Sequence, residues 1–596
     1  MTTNPKQPNT QLSYALDGEE TKSSTGFFAS AKQFSQYMKG DGGKLLIGFT
    51  MVLIDAIANI VTPYLIAKAI DQYISTGNLD GLVMICYQLI GIYFITMFAN
   101  YAQGILVGAV SQRTLFRLRE GIFEKLQSLP IAFFNQNKAG DLMSRINNDT
   151  EKLNQFLSDS LARFLGSFFS IAGVALFVFF INVKLSLVML VAAVILVVFT
   201  QLVSPKIRKM NKTTAKTVGD MTASIQENLM NFRVIVAYSK RQYLRNLLGK
   251  ASKKTYETTL RSDTSNKIFE PVYDFAGSVA LVAVLWYGLH LLSTGEITIG
   301  ILIAFTSYTQ RFYSPLQYLA TIVGEVQVSL AAWSRVLAVF DMKSDLHVFK
   351  EKDKHDGPRL ELRDVSFGYE GGGLVIEDAN LKFEAGKTYA LVGPTGGGKS
   401  TLVSLMSRLY DPLSGLVLLD GRDIRSYEPL EKSALISVIL QDPILFTGTV
   451  GDNIRYGNHE LLEMNDTDLD KRLREIGFTE VLSRFEHGLT TPVSQVGGAS
   501  LSLGQKQLIS FMRAILRKPK LLILDEATAN IDTVTEAMLN QAIDALPEDT
   551  TKIIIAHRLN TIKEADEIMF VNGHHVTKAG SFEDAIKLIE SSKRSS

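Results

Sequence analysis

The sequence predicts two domains of different class, an all-α membrane domain of six helices followed by a soluble α/β domain. Two observations predict this fold. Apolar stretches of about 20 residues, the length that a helix needs to cross a bilayer, recur about six times before residue 325. Beyond that point the composition is that of an ordinary soluble domain, and short apolar strand patterns lead into polar motifs. At 596 residues the chain is also too long for one ordinary core.

Bulk charge and cysteine content exclude several classes of partner. The chain has 61 Lys and Arg against 60 Asp and Glu, a formal net charge of +1, which gives no electrostatic reason to expect nucleic acid as a partner. The single cysteine, Cys86, lies inside an apolar run. A disulfide framework and a Cys-ligated metal site are therefore both excluded.

The polar N-terminal tail does not resemble a targeting segment. It is acidic through Asp17, Glu19 and Glu20, whereas secretory signals begin with basic residues and transit peptides are poor in acidic ones. The expected organisation is a tail over 1–26, a transmembrane domain over 27–338, a linker over 339–358 that ends in Gly357 and Pro358, and a nucleotide-binding domain over 359–596.

The connections between the apolar stretches indicate their orientation. The stretches cover approximately 45–70, 83–110, 161–181, 185–204, 272–293 and 297–322. The links at 71–82, 182–184 and 294–296 are short, whereas those at 111–160 and 205–271 are long and rich in Lys and Arg. Basic residues beside membrane ends favour the cytoplasm, so both long connections, the N-terminus and the C-terminal domain are expected there.

The long connections are expected to be helices that continue beyond the bilayer. Pro130 and Gly140 interrupt the first, and the stretch Asn231, Phe232, Arg233, Val234, Ile235 lies in the second. The turns at these positions would contact the soluble domain. Inside the spans, five polar residues either line a translocation path or pair between helices, since intramembrane charges are costly and often functional: Asp55, Asn59, Asn100, Asp274 and Arg311.

A phosphate-binding loop follows the short apolar run 388–392. It consists of Gly393, Pro394, Thr395, Gly396, Gly397, Gly398, Lys399 and Ser400, followed by Thr401 at the start of a helix. Glycines allow backbone N–H groups to surround a phosphate, and the positive end of the helix favours the anion. In such loops the lysine contacts the phosphates and the Ser400 hydroxyl binds Mg²⁺. ATP and Mg²⁺ are therefore the expected cofactors.

Three further residues follow apolar strand patterns in this domain. The run 521–524 ends in Asp525 and Glu526, as expected of a central parallel strand. Asp525 is expected to hold the magnesium shell and Glu526 to polarise the water that attacks the γ-phosphate. Another strand pattern, 552–556, is followed by His557 at the edge where α/β sheets bind ligands. We expect His557 to sense the γ-phosphate.

Between these motifs the chain reads Leu501, Ser502, Leu503, Gly504, Gln505. Here it resembles the ATP-binding cassette (ABC) transporters, whose hallmark segment is Leu-Ser-Gly-Gly-Gln. The resemblance covers nearly the whole chain, and the order of membrane domain and cassette is similar to that of exporter half-transporters of the multidrug and lipid-pump group. It implies an α/β P-loop cassette and an ATPase coupled to transport.

The resemblance also implies roles for single residues. Tyr369 would stack on adenine, although an aromatic residue there is equally typical of a strand core. Gln441 would contact magnesium or the attacking water. Ser502, Gly504 and Gln505 would contact the γ-phosphate that is bound to the opposite subunit, and Asp532 would cross the same interface.

Leu503 departs from the family pattern, which has glycine there. A leucine beside the phosphate would weaken one composite site and slightly favours a heterodimer of half-transporters over a homodimer. The expected function is ATP-driven export of a hydrophobic or amphipathic drug, lipid or peptide across the cell membrane by a dimer of half-transporters. The alternatives are an ATP-gated regulator or channel and an importer with the exporter fold.

Overall fold

The computed structural model describes residues 14–16, 33–344, 348–349, 357–494, 501–525, 533–544, 546–555, 562–579, 583–585 and 587–588. The chain forms two compact units. The membrane unit comprises Asp17–Gln127 and Ala139–Asp341. The nucleotide unit comprises Met342–Ser596 together with Ser128–Lys138 and the N-terminal segment Met1–Leu16. The exact domain boundaries given above stay predictions.

Eleven α-helices are described before the first strand. In chain order they are α1 Gly42–Lys68, α2 Leu79–Gln127, α3 Ile131–Gln136, α4 Ala139–Ser144, α5 Thr150–Gln155, α6 Leu161–Ile181, α7 Val183–Met230, α8 Phe232–Ala237, α9 Arg241–Asn266, α10 Phe269–Ser293 and α11 Ile299–Phe340. Turns of π-helix continue α1 to Ile74 and join α4 to α5 and α5 to α6. Of these, the short helix α3 belongs to the nucleotide unit.

The prediction of six membrane spans is confirmed. Within the described residues, six helical stretches are long and apolar enough to cross a membrane, namely Gly42–Ile74, Leu79–Gln127, Ala139–Ile181, Val183–Met230, Arg241–Ser293 and Ile299–Phe340. Helix α2 has 49 residues, so it extends roughly 73 Å against a hydrocarbon core of about 30 Å. The long connections are therefore helical, as predicted, because α2 and α7 continue well beyond their apolar parts.

Buried tyrosines join the spans of the membrane unit. Tyr308 of α11 donates its hydroxyl to the carbonyl of Ile60 in α1 at 2.7 Å, and Tyr313 donates to the carbonyl of Met189 in α7 at 2.7 Å. Both rings lie in the apolar core of the unit. A buried tyrosine is stable there because its one polar group has a partner.

Charged residues fix the cytoplasmic end of this unit. The guanidinium of Arg145, which is buried, donates to Asp141 at 2.8 Å and to the backbone carbonyl of Arg335 at 2.8 Å. Arg335 also pairs with Asp141 at 2.9 Å and with buried Asp149 at 3.1 Å. The return from the first long connection is thus attached to the end of α11. Losing one partner of such a buried pair is costly, because it leaves a desolvated charge.

The nucleotide unit is an α/β domain, as predicted. Its strands are β1 Leu360–Gly368, β2 Leu374–Phe383, β3 Thr388–Val392, β4 Ser414–Leu419, β5 Arg422–Asp423, β6 Ile436–Ile439, β7 Gly448–Thr449, β8 Pro492–Val493, β9 Leu521–Asp525, β10 Thr551–Ile555, β11 Glu567–Asn572 and β12 His575–Ala579. The larger sheet has the order β12-β11-β3-β10-β9-β6, and an antiparallel sheet has the order β2-β1-β4-β5.

Helices pack on these sheets. They are α12 Lys399–Met406, α13 Pro429–Leu435, α14 Val450–Arg455, α15 Asp466–Glu475, α16 Thr479–Leu482, α17 Leu503–Ile515 and α18 Thr533–Asp544. Leu402 and Met406 of α12 are buried in one core with Leu391, Ile523 and Ile553 of the central strands. This core fixes the helix directly behind the loop that precedes it.

The segment Tyr14–Leu16 is held by the end of α3. The backbone N–H of Tyr14 donates to the side chain of Gln136 at 2.9 Å. The amide of Asn137 accepts from the N–H of Leu16 at 3.0 Å and donates to the carbonyl of Tyr14 at 2.8 Å. The Tyr14 side chain is buried. Three hydrogen bonds therefore attach this segment to the first long connection.

Candidate nucleotide site

The loop that follows β3 requires glycine at several positions. Gly393, Gly396 and Gly398 have φ values of +152°, +82° and +102°. A Cβ atom at Gly393 would lie 2.1 Å from the carbonyl oxygen of Val571, and one at Gly397 would lie 2.7 Å from the same atom. The loop therefore lies directly against β11, a position that only a chain without Cβ atoms can reach.

Lys399 is positioned by this loop. It is 7% exposed, and its ammonium group donates to the carbonyls of Gly393 and Pro394, each at 3.0 Å. It is also the first residue of α12, whose N-cap is Gly398 without a side-chain cap. The N–H groups of the first turn thus lie beside a fixed positive charge, an arrangement that suits phosphate. The residues present fit the predicted role in ATP binding.

Strand register places the other predicted residues at the same edge of the sheet. Strands β3, β10, β9 and β6 are parallel neighbours. Asp525 at the end of β9 is opposite Ile555 at the end of β10, which is in turn opposite Leu391 of β3. Gln441 follows β6 by two residues. Carboxyl ends of parallel strands are where α/β sheets bind ligands.

The predicted magnesium ligands supply oxygen donors. Ser400 and Gln441 are exposed, and Asp525 is half-buried at the strand end. Hydroxyl, amide and carboxylate oxygens are the ligands that Mg²⁺ prefers. The donor chemistry fits the ion. Glu526, Asp532 and His557 lie outside the described residues, so their predicted roles stay predictions.

Tyr369 lies beside the phosphate-binding loop. Its hydroxyl is 3.1 Å from that of Thr401 in α12, and its side chain is 41% exposed. Its ring packs against Phe367 and Tyr410, with centroid distances of 5.2 and 5.4 Å. Of the two interpretations offered above, the exposure favours a surface aromatic over a core residue. An exposed ring at this distance from the loop can take a base on its free face.

The hallmark segment forms the start of α17. The Ser502 hydroxyl accepts from the N–H of Gln505 at 3.2 Å, and the Gln505 side chain accepts from the N–H of Ser502 at 2.9 Å. This reciprocal pair is a capping box, and its signal in the sequence is a Ser followed three residues later by a Gln. Leu503 is the first helical residue and is 41% exposed.

Two residues of α17 that the sequence did not single out connect this helix to its surroundings. Gln507, which is fully buried, donates to the carbonyl of Gln441 at 3.4 Å. Arg513 donates to the carbonyls of Asn453 and Ile444 at 2.8 and 3.2 Å. The partners of these hydrogen bonds are 60 or more residues apart, so no local sequence pattern predicts them. They join the helix of the hallmark segment to the segment after β6.

Four of the five intramembrane polar residues pair with one another. Asp55 accepts from Asn59 at 3.1 Å and from Asn100 at 2.9 Å. Arg311 donates to the side chain of Asn59. The network thus joins α1, α2 and α11, which agrees with the interpretation of pairing between helices. Asp274 of α10 is exposed and is not part of that network.

Comparison with known proteins agrees with this geometry. The family described as ABC transporter transmembrane region matches residues 45–316, and the ABC transporter family matches residues 376–529. An uncharacterized ABC transporter ATP-binding protein of Bacillus subtilis, YfiC, is 33% identical over 98% of this chain and 96% of its own length.

Two further relatives carry functional names. An ATP-dependent lipid A-core flippase of Syntrophus aciditrophicus is 29% identical over 87% of this chain and 86% of its own. A fatty acid ABC transporter of Mycobacterium bovis is 32% identical over 83% of this chain and 77% of its own.

Six apolar spans joined in one chain to an α/β domain with a phosphate-binding loop define a membrane ATPase that couples hydrolysis to transport. The chain belongs to the ABC transporter family. It is an exporter-type half-transporter of the multidrug and lipid group, a multi-pass membrane protein with a cytoplasmic ATPase domain. The predicted family, fold and ATPase activity are thereby confirmed.

Proposed function

We propose that two half-transporters, with Mg²⁺-ATP bound between their cassettes, export a hydrophobic or amphipathic substrate by alternating access. The observation that carries the proposal is the fusion of six spans with a phosphate-binding loop whose lysine is already fixed against the carbonyls of Gly393 and Pro394. A chain of this kind supplies one of the two membrane domains and one of the two cassettes that close on ATP.

Each residue has a defined part in the proposal. Lys399 and the first N–H groups of α12 bind the β- and γ-phosphates. Ser400, Asp525 and Gln441 hold the Mg²⁺ shell, and the ion supplies charge neutralisation at the transferring phosphoryl group. Glu526 orients the attacking water and accepts its proton. His557 contacts the γ-phosphate. Tyr369 stacks on adenine, and Asp532 lies at the interface between cassettes.

The hallmark segment acts on the opposite cassette in this proposal. Ser502, Gly504 and Gln505 of one subunit face the γ-phosphate held by the other. The capping box supports this, because it fixes Ser502 at the N-terminal end of α17, where N–H groups favour an anion. Closure is then favoured only while the γ-phosphate is present, and its loss shifts the population back to the open state.

The tip of the second long connection supports a dimer. It carries Met230 at the end of α7 and the short helix α8, and the side chains of Phe232 and Val234 on α8 are 47% and 56% exposed. Apolar side chains clustered on a cytoplasmic surface indicate a contact with a partner. We propose that the partner is a second half-transporter, with the exposed Leu503 favouring a different chain over a second copy.

The first experiment is ATP hydrolysis by this chain purified alone into lipid, with Glu526→Gln as the blank. Hydrolysis that vanishes in the variant supports a self-sufficient homodimer. An ATP-binding preparation that hydrolyses nothing points to a companion subunit. Steady hydrolysis in Glu526→Gln near the unmodified rate would remove that residue from its proposed role.

Export is tested separately from gating in inside-out vesicles. Accumulation of substrate against its gradient should require ATP and stop in Glu526→Gln. Flow down the gradient in that variant, supported by ATP binding alone, would instead indicate an ATP-gated channel. Outward movement from the vesicle lumen would indicate an importer.

A further inference from the structure

A cavity of about 730 Å³ lies in the membrane unit between α7, α10 and α11. This volume is within the range of about 300–1,000 Å³ that is typical of small-molecule sites. Val197, Phe269 and Leu316 are among its apolar lining residues. Gln201 and Arg208 of α7 are among its polar ones. The lining of the cavity is therefore amphipathic.

The face of α7 that lines the cavity follows helical spacing. Val197, Gln201, Ser204, Arg208 and Asn211 all line the cavity, and steps of three and four residues place them on one side of the helix. The distance from the first to the last is roughly 21 Å along the helix axis. The apolar stretch of the sequence ends at residue 204. Arg208 thus lies where the hydrocarbon region gives way to the head-group region.

Two polar contacts between helices bound this face. The hydroxyls of Thr200 and Tyr273 are 2.7 Å apart. Further along α7, the amides of Asn211 and Asn266 exchange hydrogen bonds of 3.2 and 3.0 Å. Because these side chains hydrogen-bond to one another, they hold the walls of the cavity in place. They leave Arg208 as the charged group of the wall between them.

Arg208 is an uncompensated cation. Its guanidinium makes no hydrogen bond or ion pair within the part of the chain that the structure describes. None of the residues described as lining the cavity is Asp or Glu. A guanidinium without a partner binds carboxylate or phosphate oxygens through paired hydrogen bonds. The guanidinium would repel a cationic ligand in this cavity.

We propose that this cavity binds an anionic amphiphile, with its apolar chain along Val197, Phe269 and Leu316 and its carboxylate or phosphate head group on Arg208. The inference rests on the proposed export function and names the substrate class for it. An amphiphile fits because the chain then occupies the hydrocarbon region and the head group remains at the interface, as each would in the membrane itself.

The test is equilibrium binding of radiolabelled palmitate to the full chain in nanodiscs of zwitterionic lipid, without nucleotide. Unlabelled competitors with the same chain length carry different head groups: palmitate itself, hexadecyl phosphate, hexadecanol and hexadecyltrimethylammonium. The two anions should compete at least about tenfold better than the alcohol or the ammonium compound, a difference of about 1.4 kcal/mol. Whichever of palmitate and hexadecyl phosphate competes more strongly identifies the preferred head group, carboxylate or phosphate. Equal competition by hexadecyltrimethylammonium overturns the proposal.

Substitution tests the residue itself. Arg208→Gln should weaken palmitate binding about tenfold or more, whereas Arg208→Lys should retain part of the affinity. The matched control is Lys209→Gln, which removes the same charge one residue along the helix and outside the cavity wall. Equal effects of the two Gln variants would show a general surface-charge effect and overturn the assignment. Unchanged binding in Arg208→Gln would also overturn it.

Failure of this inference can be distinguished from failure of the proposed function. Binding is measured without ATP, so it does not depend on hydrolysis or export. Active, ATP-driven export without palmitate binding overturns only the ligand class. Palmitate binding that depends on Arg208 supports the inference even where the chain alone hydrolyses no ATP.

Discussion

The side-chain amide of Asn135 donates a hydrogen bond of 2.7 Å to the hydroxyl of Tyr410. Asn135 lies in α3, the short helix of the first long connection, and Tyr410 lies shortly after α12. Burial raises the pKa of the Tyr410 hydroxyl, which therefore stays protonated at neutral pH. The ring of Tyr410 packs on Tyr369. A continuous set of contacts thus leads from the proposed adenine site to the first connection.

The Asn135 bond is expected to couple hydrolysis to transport. Asn135→Ala and Tyr410→Phe remove the same hydrogen bond from opposite sides, and such a bond contributes about 0.5–1.5 kcal/mol. Each change should lower the amount of substrate exported per ATP hydrolysed by roughly two- to tenfold. Parallel measurement of export and hydrolysis checks this. The double variant should be no worse than either single one, since only one interaction is lost. Additive losses would show that the two residues act independently.

Tyr369 is expected to contribute to ATP affinity through its ring. Tyr369→Ala should weaken ATP binding about tenfold or more, because stacking of a base on an aromatic ring contributes about 1–3 kcal/mol. Tyr369→Phe keeps the ring and loses only the 3.1 Å contact with Thr401, so its affinity should remain close to that of the unmodified chain. Equilibrium binding of labelled ATP measures both. A large loss in the Phe variant would indicate that the hydroxyl contact, rather than stacking, carries the affinity.

Gly393→Ala is expected to abolish ATP binding. The new Cβ would lie 2.1 Å from the backbone oxygen of Val571, and neither backbone segment can move without displacing the loop from β11. Gly396→Ala is the control, because its Cβ would meet nothing within 4 Å while its φ of +82° is also unfavourable for alanine. That strain costs roughly 1–2 kcal/mol. Detectable ATP binding in Gly396→Ala alone would support the steric explanation, and equal loss in both would refute it.

Stability of the nucleotide unit is expected to depend on pH through Lys432. Its ammonium group donates to the carbonyls of Ser407 and Arg408 at 3.0 and 3.4 Å. Burial, reinforced by repulsion from Arg408, lowers the pKa of Lys432 to about 8. An unfolded lysine has a pKa of about 10.4. The unfolded state therefore binds more protons between these values, and the free energy of unfolding rises with pH across about pH 8–10.4.

The Lys432→Met variant isolates this effect. The contribution of the shifted lysine amounts to about 3 kcal/mol over the full window, at about 1.36 kcal/mol per pKa unit. The difference in apparent melting temperature between the unmodified chain and the variant should grow in favour of the unmodified chain from pH 8 to pH 10. A constant difference over that range would show that the lysine retains an ordinary pKa in the folded protein.

Much of the fold could be predicted because its signals are local. A membrane span depends on about 20 consecutive apolar residues, and the phosphate-binding loop depends on glycines whose neighbours are fixed by one strand and one helix. The bounds of the fourth apolar stretch, 185–204, differ from those of helix α7, which covers Val183–Met230, as expected of a helix that continues beyond the bilayer. Hydropathy detects only the part in the bilayer, and it does not show that the helix continues through Pro205 to Met230.

The rest of the site depends on contacts between distant residues. Asn135 and Tyr410 are 275 residues apart, and Gln507 and Gln441 are 66 apart. No helix or strand periodicity relates residues at these separations, so the sequence alone does not predict either contact. The cavity beside Arg208 is a similar case. In the sequence Arg208 is one of several basic residues beside a membrane end. Only the packing of the helices shows that Arg208 lines the cavity and that Lys209 does not.

The contact between Tyr14 and Gln136 restricts the order of events during synthesis. The two residues are 122 positions apart, so at about 5–20 residues per second the N-terminal segment leaves the ribosome roughly 6–24 seconds before its partner exists. In that interval α1 and α2 are synthesised. The N-terminal segment cannot dock before the first helical hairpin has been completed, so its burial is a direct indicator that the hairpin has been made.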